Sequence, residues 1–199
     1  MEYGDALSVI EQDSGLRYLS VSVELSNLDS YQGSLAHNYY IYEQDNVLSM
    51  LPWNLNEAFG SFNRDYNGVD IRDLCIVEPT SGPLAERPFI AAVLASSENL
   101  DTYHGYLQQL IDGPFSSSVF ATKVAIIDAL ISENVASDPS AFYSFSQFEQ
   151  NQNSTVSRFY GLTSFMQYRV DNMTQQLNGT LLSSGNGKGF VVANSLHKG

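Results

Sequence analysis

Positive charge is scarce in this chain: nine Lys and Arg stand against 22 Asp and Glu, giving a formal net charge of −13. Nucleic acid is excluded as a partner, because phosphate backbones are gripped by clustered Lys and Arg. Anionic membrane surfaces are disfavoured for the same reason. A basic, Ser- and Lys-rich protein is the complementary partner, although acidity also serves solubility. Cysteine is nearly absent, and the single Cys75 rules out an intrachain disulfide, offers no metal-ligand spacing and reads as a small core residue. No apolar run is long enough to span a bilayer and no secretory leader pattern is present, so membrane insertion is not expected. Internal repeats and a collagen-like or coiled-coil period are missing too.

What the chain does have is apolar and aromatic content for a core, 43% and 12% of 199 residues. One domain is expected over residues 1–179, followed by a Gly- and Ser-rich flexible tail at 180–199. The segment LRYLSVSVELSNL from Leu16 is ambiguous: Leu16, Leu19 and Val23 fit a helix, whereas Val21, Val23 and Leu25 alternate as a strand does. Residues 60–84 are rich in Gly, Asn, Asp, Ser and Pro and read as a long surface segment. Helices are predicted beyond Leu84: one to about Ser96, a second ended by Gly113-Pro114, and a third after the Ser116–Ser118 cap, stopped at Asp138-Pro139. Val119, Val124, Ile127, Leu130 and Ile131 give that third helix an apolar face expected to bury core. A last helix is predicted from about Ser146 to Leu177, with Phe159, Leu162, Met166, Met173 and Leu177 as its packing stripe.

The densest chemistry lies earlier. Tyr39 to Glu43 and Val47 to Leu51 are aromatic or β-branched runs separated by the turn residues Gln44-Asp45-Asn46, a β-hairpin pattern. Asp29 precedes the hairpin, His37 and Asn38 lead into it, and Pro52-Trp53 ends it before Asn54, Asn56 and Glu57. The fold class is therefore α+β, mostly helical, with one small hairpin beside the candidate site. A carboxylate at Asp29 can take the proton of an attacking hydroxyl, and Asn38 and Asn54 offer neutral oxygens to a hard cation.

The wording of these segments, Leu28-Asp29-Ser30-Tyr31, His37-Asn38-Tyr39-Tyr40 and Pro52-Trp53-Asn54-Leu55-Asn56-Glu57-Ala58-Phe59-Gly60, resembles the CotH kinase family, the spore-coat protein H type of atypical protein kinase, from about Leu16 to Leu177. The segment Glu78–Pro88 fits the same setting. The resemblance implies a protein-kinase-like C-lobe. It also implies ATP and Mg2+ or Mn2+ as cofactors and phosphorylation of Ser or Thr on spore-coat or surface proteins. Asp29 would be the catalytic base, with Asn38 and position 54 on the metal.

Two departures bear on activity. CotH-like proteins carry Asp where this chain has Asn54, and an amide removes a unit charge worth roughly 4 kcal/mol about 4 Å from a monovalent partner at an effective dielectric near 20. The three lysines, Lys123, Lys188 and Lys198, all follow the candidate site, so no lysine-bearing nucleotide lobe precedes it and the N-lobe is expected to be missing. Three functional readings follow: a CotH-type kinase, inactive or incomplete as this chain; a non-catalytic pseudokinase lobe serving as a structural or binding module at a spore or cell surface; and, least favoured, glycan chemistry by Asp29 and Glu57. Among the neighbours, His37 reads as a scaffold residue orienting the loop, Trp53 as packing a core edge, and Glu57 as a first-turn helix residue.

Overall fold

The computed structural model describes residues 6–62 and 70–185. Its order is α1 (Gln12–Glu24), β1 (Tyr39–Gln44), β2 (Val47–Pro52), α2 (Pro88–Ala95), α3 (Ser97–Asp112), α4 (Ser117–Ser137), α5 (Phe145–Asn151) and α6 (Leu162–Leu177). Single 3-10 turns lie at Ala6–Ser8, Ile71–Asp73 and Leu84–Glu86. The fold is mostly helical with a two-stranded antiparallel sheet.

The ambiguous N-terminal segment is a helix. Glu11 caps α1 by accepting the Ser14 N–H at 2.6 Å, and Leu16, Leu19 and Val23 on its inner face are 2% exposed or less. They pack with Ile90 and Val93 of α2, Tyr103 and Leu107 of α3 and Met173 of α6 in the main core. The hairpin also forms as its pattern predicts, in register from Tyr39 opposite Pro52 to Gln44 opposite Val47. Asp45 and Asn46 make its two-residue turn at φ 54° and 63°, where short polar side chains tolerate left-handed backbone. The far edge of β2 is tied back to the N-terminal segment by Leu48 N–H to Val9 O and Glu11 N–H to Leu48 O.

Four expectations are corrected. Residues 60–84 are not a surface segment: Ile71, Leu74, Cys75, Ile76 and Thr80 are at most 1% exposed, while 63–69 lie outside the described residues. The reason is a polar row on α6. Arg169, buried completely, donates to Val23 O at 3.0 Å, Arg72 O at 3.0 Å and Leu74 O at 2.8 Å. Gln176 accepts the Ile76 N–H and donates to Leu74 O, and Asn172 donates to Asp73. Irregular backbone can be buried once its polar groups are satisfied in this way.

The single last helix is two, α5 and α6, joined by a loop at 152–161. The Asn151 amide bonds the carbonyls of Ser154, Phe159 and Tyr160 and holds that loop together. Third, α4 does not bury the expected face: Phe120 is its buried residue, and Val119, Ile127 and Leu130 are 41, 55 and 75% exposed. Fourth, Glu57 lies in a run of turns rather than in a helix.

At the C-terminal end, residues 181–185 are held against the body by Val77 N–H to Ser183 O and Gly185 N–H to a Glu78 carboxylate oxygen. Residues 186–199, with Lys188, His197 and Lys198, lie outside the described residues.

Candidate active site

The loop between α1 and β1 is built from buried polar residues. Its backbone turns sharply after α1, with Ser26 at φ 42°, and Gln32 bonds back to Asn27 O while the Ser30 hydroxyl donates to Gln32. The Tyr18 hydroxyl of α1 sits 2.6 Å from the Ser30 hydroxyl. Arg87 reaches in from ahead of α2 and donates to Tyr31 O at 2.8 Å and Gly33 O at 2.5 Å. Gly33 packs so closely on Leu28 that an added Cβ would fall 1.6 Å from the Leu28 carbonyl oxygen. The loop is thereby fixed from both sides, which is how a scaffold holds catalytic groups within a fraction of an ångström.

On this loop Asp29 is 6% exposed. The Asn38 amide donates to Asp29 Oδ2 at 2.8 Å and to Asp29 O at 2.9 Å, so the residue leading into β1 is latched onto the carboxylate. His37 Nε2 lies 2.8 Å from Asp29 Oδ1, a close contact that is not an aligned hydrogen bond. Asn38 takes φ 54° and Ala36 φ 45° to make these contacts. Strained backbone of this kind gathers at functional sites.

The segment after β2 joins the site through its backbone. Trp53 N–H donates to Asn38 O at 3.3 Å. Asn54 follows at φ 47°, exposed, with its side-chain oxygen accepting the Asn56 N–H at 3.3 Å. Asp29 and Asn38 are thus brought into direct contact, while Asn54 is adjacent through the chain with its side chain engaged in its own turn. Trp53 does not pack a core edge: it is 56% exposed and meets Tyr40, 54% exposed, edge-to-face at 5.1 Å. With Tyr40 projecting from the solvent side of the hairpin, the indole has an aromatic neighbour there and stays out of the core.

Among the described residues no group of three His, Cys, Asp or Glu could hold a metal, and no Lys or Arg pairs with Asp29. One carboxylate and two amides do not make a resident metal centre. They do suit magnesium that arrives on a triphosphate, because Mg2+ keeps several waters and draws most of its charge from phosphate oxygens. Two mostly apolar pockets of about 360 Å³ beside α4 and α5 are not lined by Asp29, Asn38 or Asn54.

Two supports of this site were not visible in the sequence reading. Arg87 lies in the Glu78–Pro88 segment, whose wording was the available signal. Glu24, at the end of α1, is fully buried with both oxygens unpartnered among the described residues, as are Ser26 Oγ and Asn27 Oδ1. Burial raises the Glu24 carboxyl to about 7, with the nearby Arg169 charge opposing the rise.

The chain belongs to the CotH kinase family: the family model described as CotH kinase protein matches residues 3–173. No curated protein matches the chain.

Proposed function

We propose that this chain is the catalytic-loop half of a CotH-type phosphotransferase, a protein-kinase-like C-lobe of an enzyme that transfers phosphate from ATP to Ser or Thr hydroxyls. Alone, it turns over little or nothing. The observation that carries the proposal is the latch between Asp29 and Asn38 at 2.8 Å, held on a loop whose backbone is clamped by Arg87. Asp29 is the base that takes the hydroxyl proton. Asn38 and Asn54 are the amides that would hold Mg2+ or Mn2+ entering with ATP, and the ion would neutralise charge on the phosphates.

Turnover is limited by Asn54, which leaves position 54 without a charge. A basic, Ser- and Lys-rich protein of a spore coat or cell surface fits the net charge of −13 as substrate. A second reading, a pseudokinase module that binds without catalysis, is favoured by Asn54 spending its side-chain oxygen on the Asn56 N–H.

The test is to incubate the chain with ATP, Mg2+ or Mn2+ and a basic Ser- and Lys-rich polypeptide while following both phosphate transfer and emission of Trp53, the one tryptophan. Background transfer with an ATP-dependent emission change that Asp29→Asn alters is the expected result. Robust transfer would overturn the incompleteness. Absence of both signals would favour the binding module.

A further inference from the structure

Helix α4 has the composition of a core helix and the exposure of a surface one. Between Val119 and Val135 it carries few charges, yet only Phe120 is buried, with Val124, Ile131 and Val135 half-buried on the same side. Its exposed apolar side chains are large: Ile126 is 64% and Leu130 75% exposed on the outward face, and Ile127, seven residues from Phe120, is 55% exposed. A helix that is apolar on both faces is normally covered on both. No single helix among the described residues is long and apolar enough to cross a membrane; α4 meets that length and composition only jointly with α3, across a 62° bend.

The order of residues on the outward face says what covers it. Val119, Lys123, Ile126, Leu130, Glu133 and Ser137 are all exposed and follow one another at alternating intervals of four and three, the spacing of a coiled-coil seam. Residue 128 is the midpoint of Val119 and Ser137, of Lys123 and Glu133, and of Ile126 and Leu130. An antiparallel copy of α4 crossing at that level sets Ile126 against the partner's Leu130 and Lys123 against the partner's Glu133, twice each. Parallel packing would set lysine against lysine and glutamate against glutamate. Among the described residues neither Lys123 nor Glu133 has an ion-pair partner within the chain. A polar residue at one core position of a seam is a known way to fix register and orientation.

We propose that α4 is a self-association surface and that the chain forms an antiparallel, two-fold dimer through this seam. A helix of this length offers about 31 Å of contact, and an α4 pair buries on the order of 1,000 Å² in total, the lower end of specific interfaces. An interface of that size is in the class of weak, transient encounters, so association is sought at micromolar concentrations. The dimer does not depend on phosphotransferase chemistry, so its test is separate from that proposal.

Sedimentation velocity of the whole chain from about 1 to about 100 μM brackets that range. The expected result is a reversible monomer–dimer equilibrium. Lys123→Glu and Glu133→Lys each weaken it by about tenfold or more, and the double swap restores it towards wild type, because opposite charges again face each other. Leu130→Glu, an exposed position that leaves the fold intact by circular dichroism, abolishes the dimer. A monomer across the range, single swaps without effect, or a double swap no better than the singles would overturn the proposal. Wild-type chain that floats with phosphatidylcholine vesicles and loses that binding in Leu130→Glu would assign the face to lipid instead.

Discussion

At Glu24 a carboxyl group is enclosed entirely, without a hydrogen-bond partner among the described residues, five positions before Asp29. Desolvation raises its folded pKa from 4.5 to about 7, against the attraction of Arg169. Between those values the unfolded chain has released the proton and the folded chain still holds it, so stability falls as pH rises through that window. The loss amounts to about 3 kcal/mol and is complete above it. Glu24→Gln keeps the shape without the charge. Urea unfolding at pH 5 and pH 8 is expected to show the variant losing less stability with pH than wild type and exceeding it at pH 8. Parallel profiles for the two proteins would contradict the assignment. Nothing in the sequence distinguishes Glu24 from a solvated helix glutamate, because its burial is decided by α6, more than a hundred residues later. Asp29 and Asn38 were legible for the opposite reason: the turn and strand residues that set their geometry are close neighbours in the chain.

Among the elements, the hairpin, α2 and α3 were readable because periodicity, caps and breakers are local signals, whereas the α1 segment fitted a helix and a strand alike. The gap between α5 and α6 was not, since Phe159 and Leu162 continue an apolar spacing across it. Gly161 is where the break becomes obligatory: an added Cβ would lie 2.3 Å from Asn153 C and Ser154 N. Gly161→Ala is expected to destabilise the protein by about 1 to 3 kcal/mol, measured by thermal unfolding, because two backbones must separate. An unchanged midpoint would show that the loop gives way freely.

The polar row of α6 carried no local signal of its role, since the groups that Arg169, Asn172 and Gln176 bond around Asp73, Leu74 and Ile76 lie about a hundred residues earlier in the chain. Arg169→Met is expected to cost about 3 kcal/mol or more in chemical denaturation, because it takes the guanidinium donor from Arg72 O, one of the donors from Val23 O and from Leu74 O, and the positive charge that acts on Glu24. A neutral substitution would mean that these groups find other partners.

For the molecule as a whole, charge and family membership point the same way. A chain with a net charge of −13 repels free nucleotide unless a cation accompanies it, and the candidate site has one carboxylate, Asp29, beside two amides. The phosphotransferase proposal therefore turns on whether position 54 faces the same cation as Asn38, next to Asp29. Titrating Mn2+ into the chain in the presence of ATP, with free Mn2+ read by electron paramagnetic resonance, tests this when wild type is compared with Asn54→Asp. The restored carboxylate is expected to tighten Mn2+ binding by about tenfold or more, from the added charge on a divalent ion, with phosphate transfer remaining near background. Equal Mn2+ affinity in the two proteins would contradict it, placing Asn54 outside any site shared with Asp29.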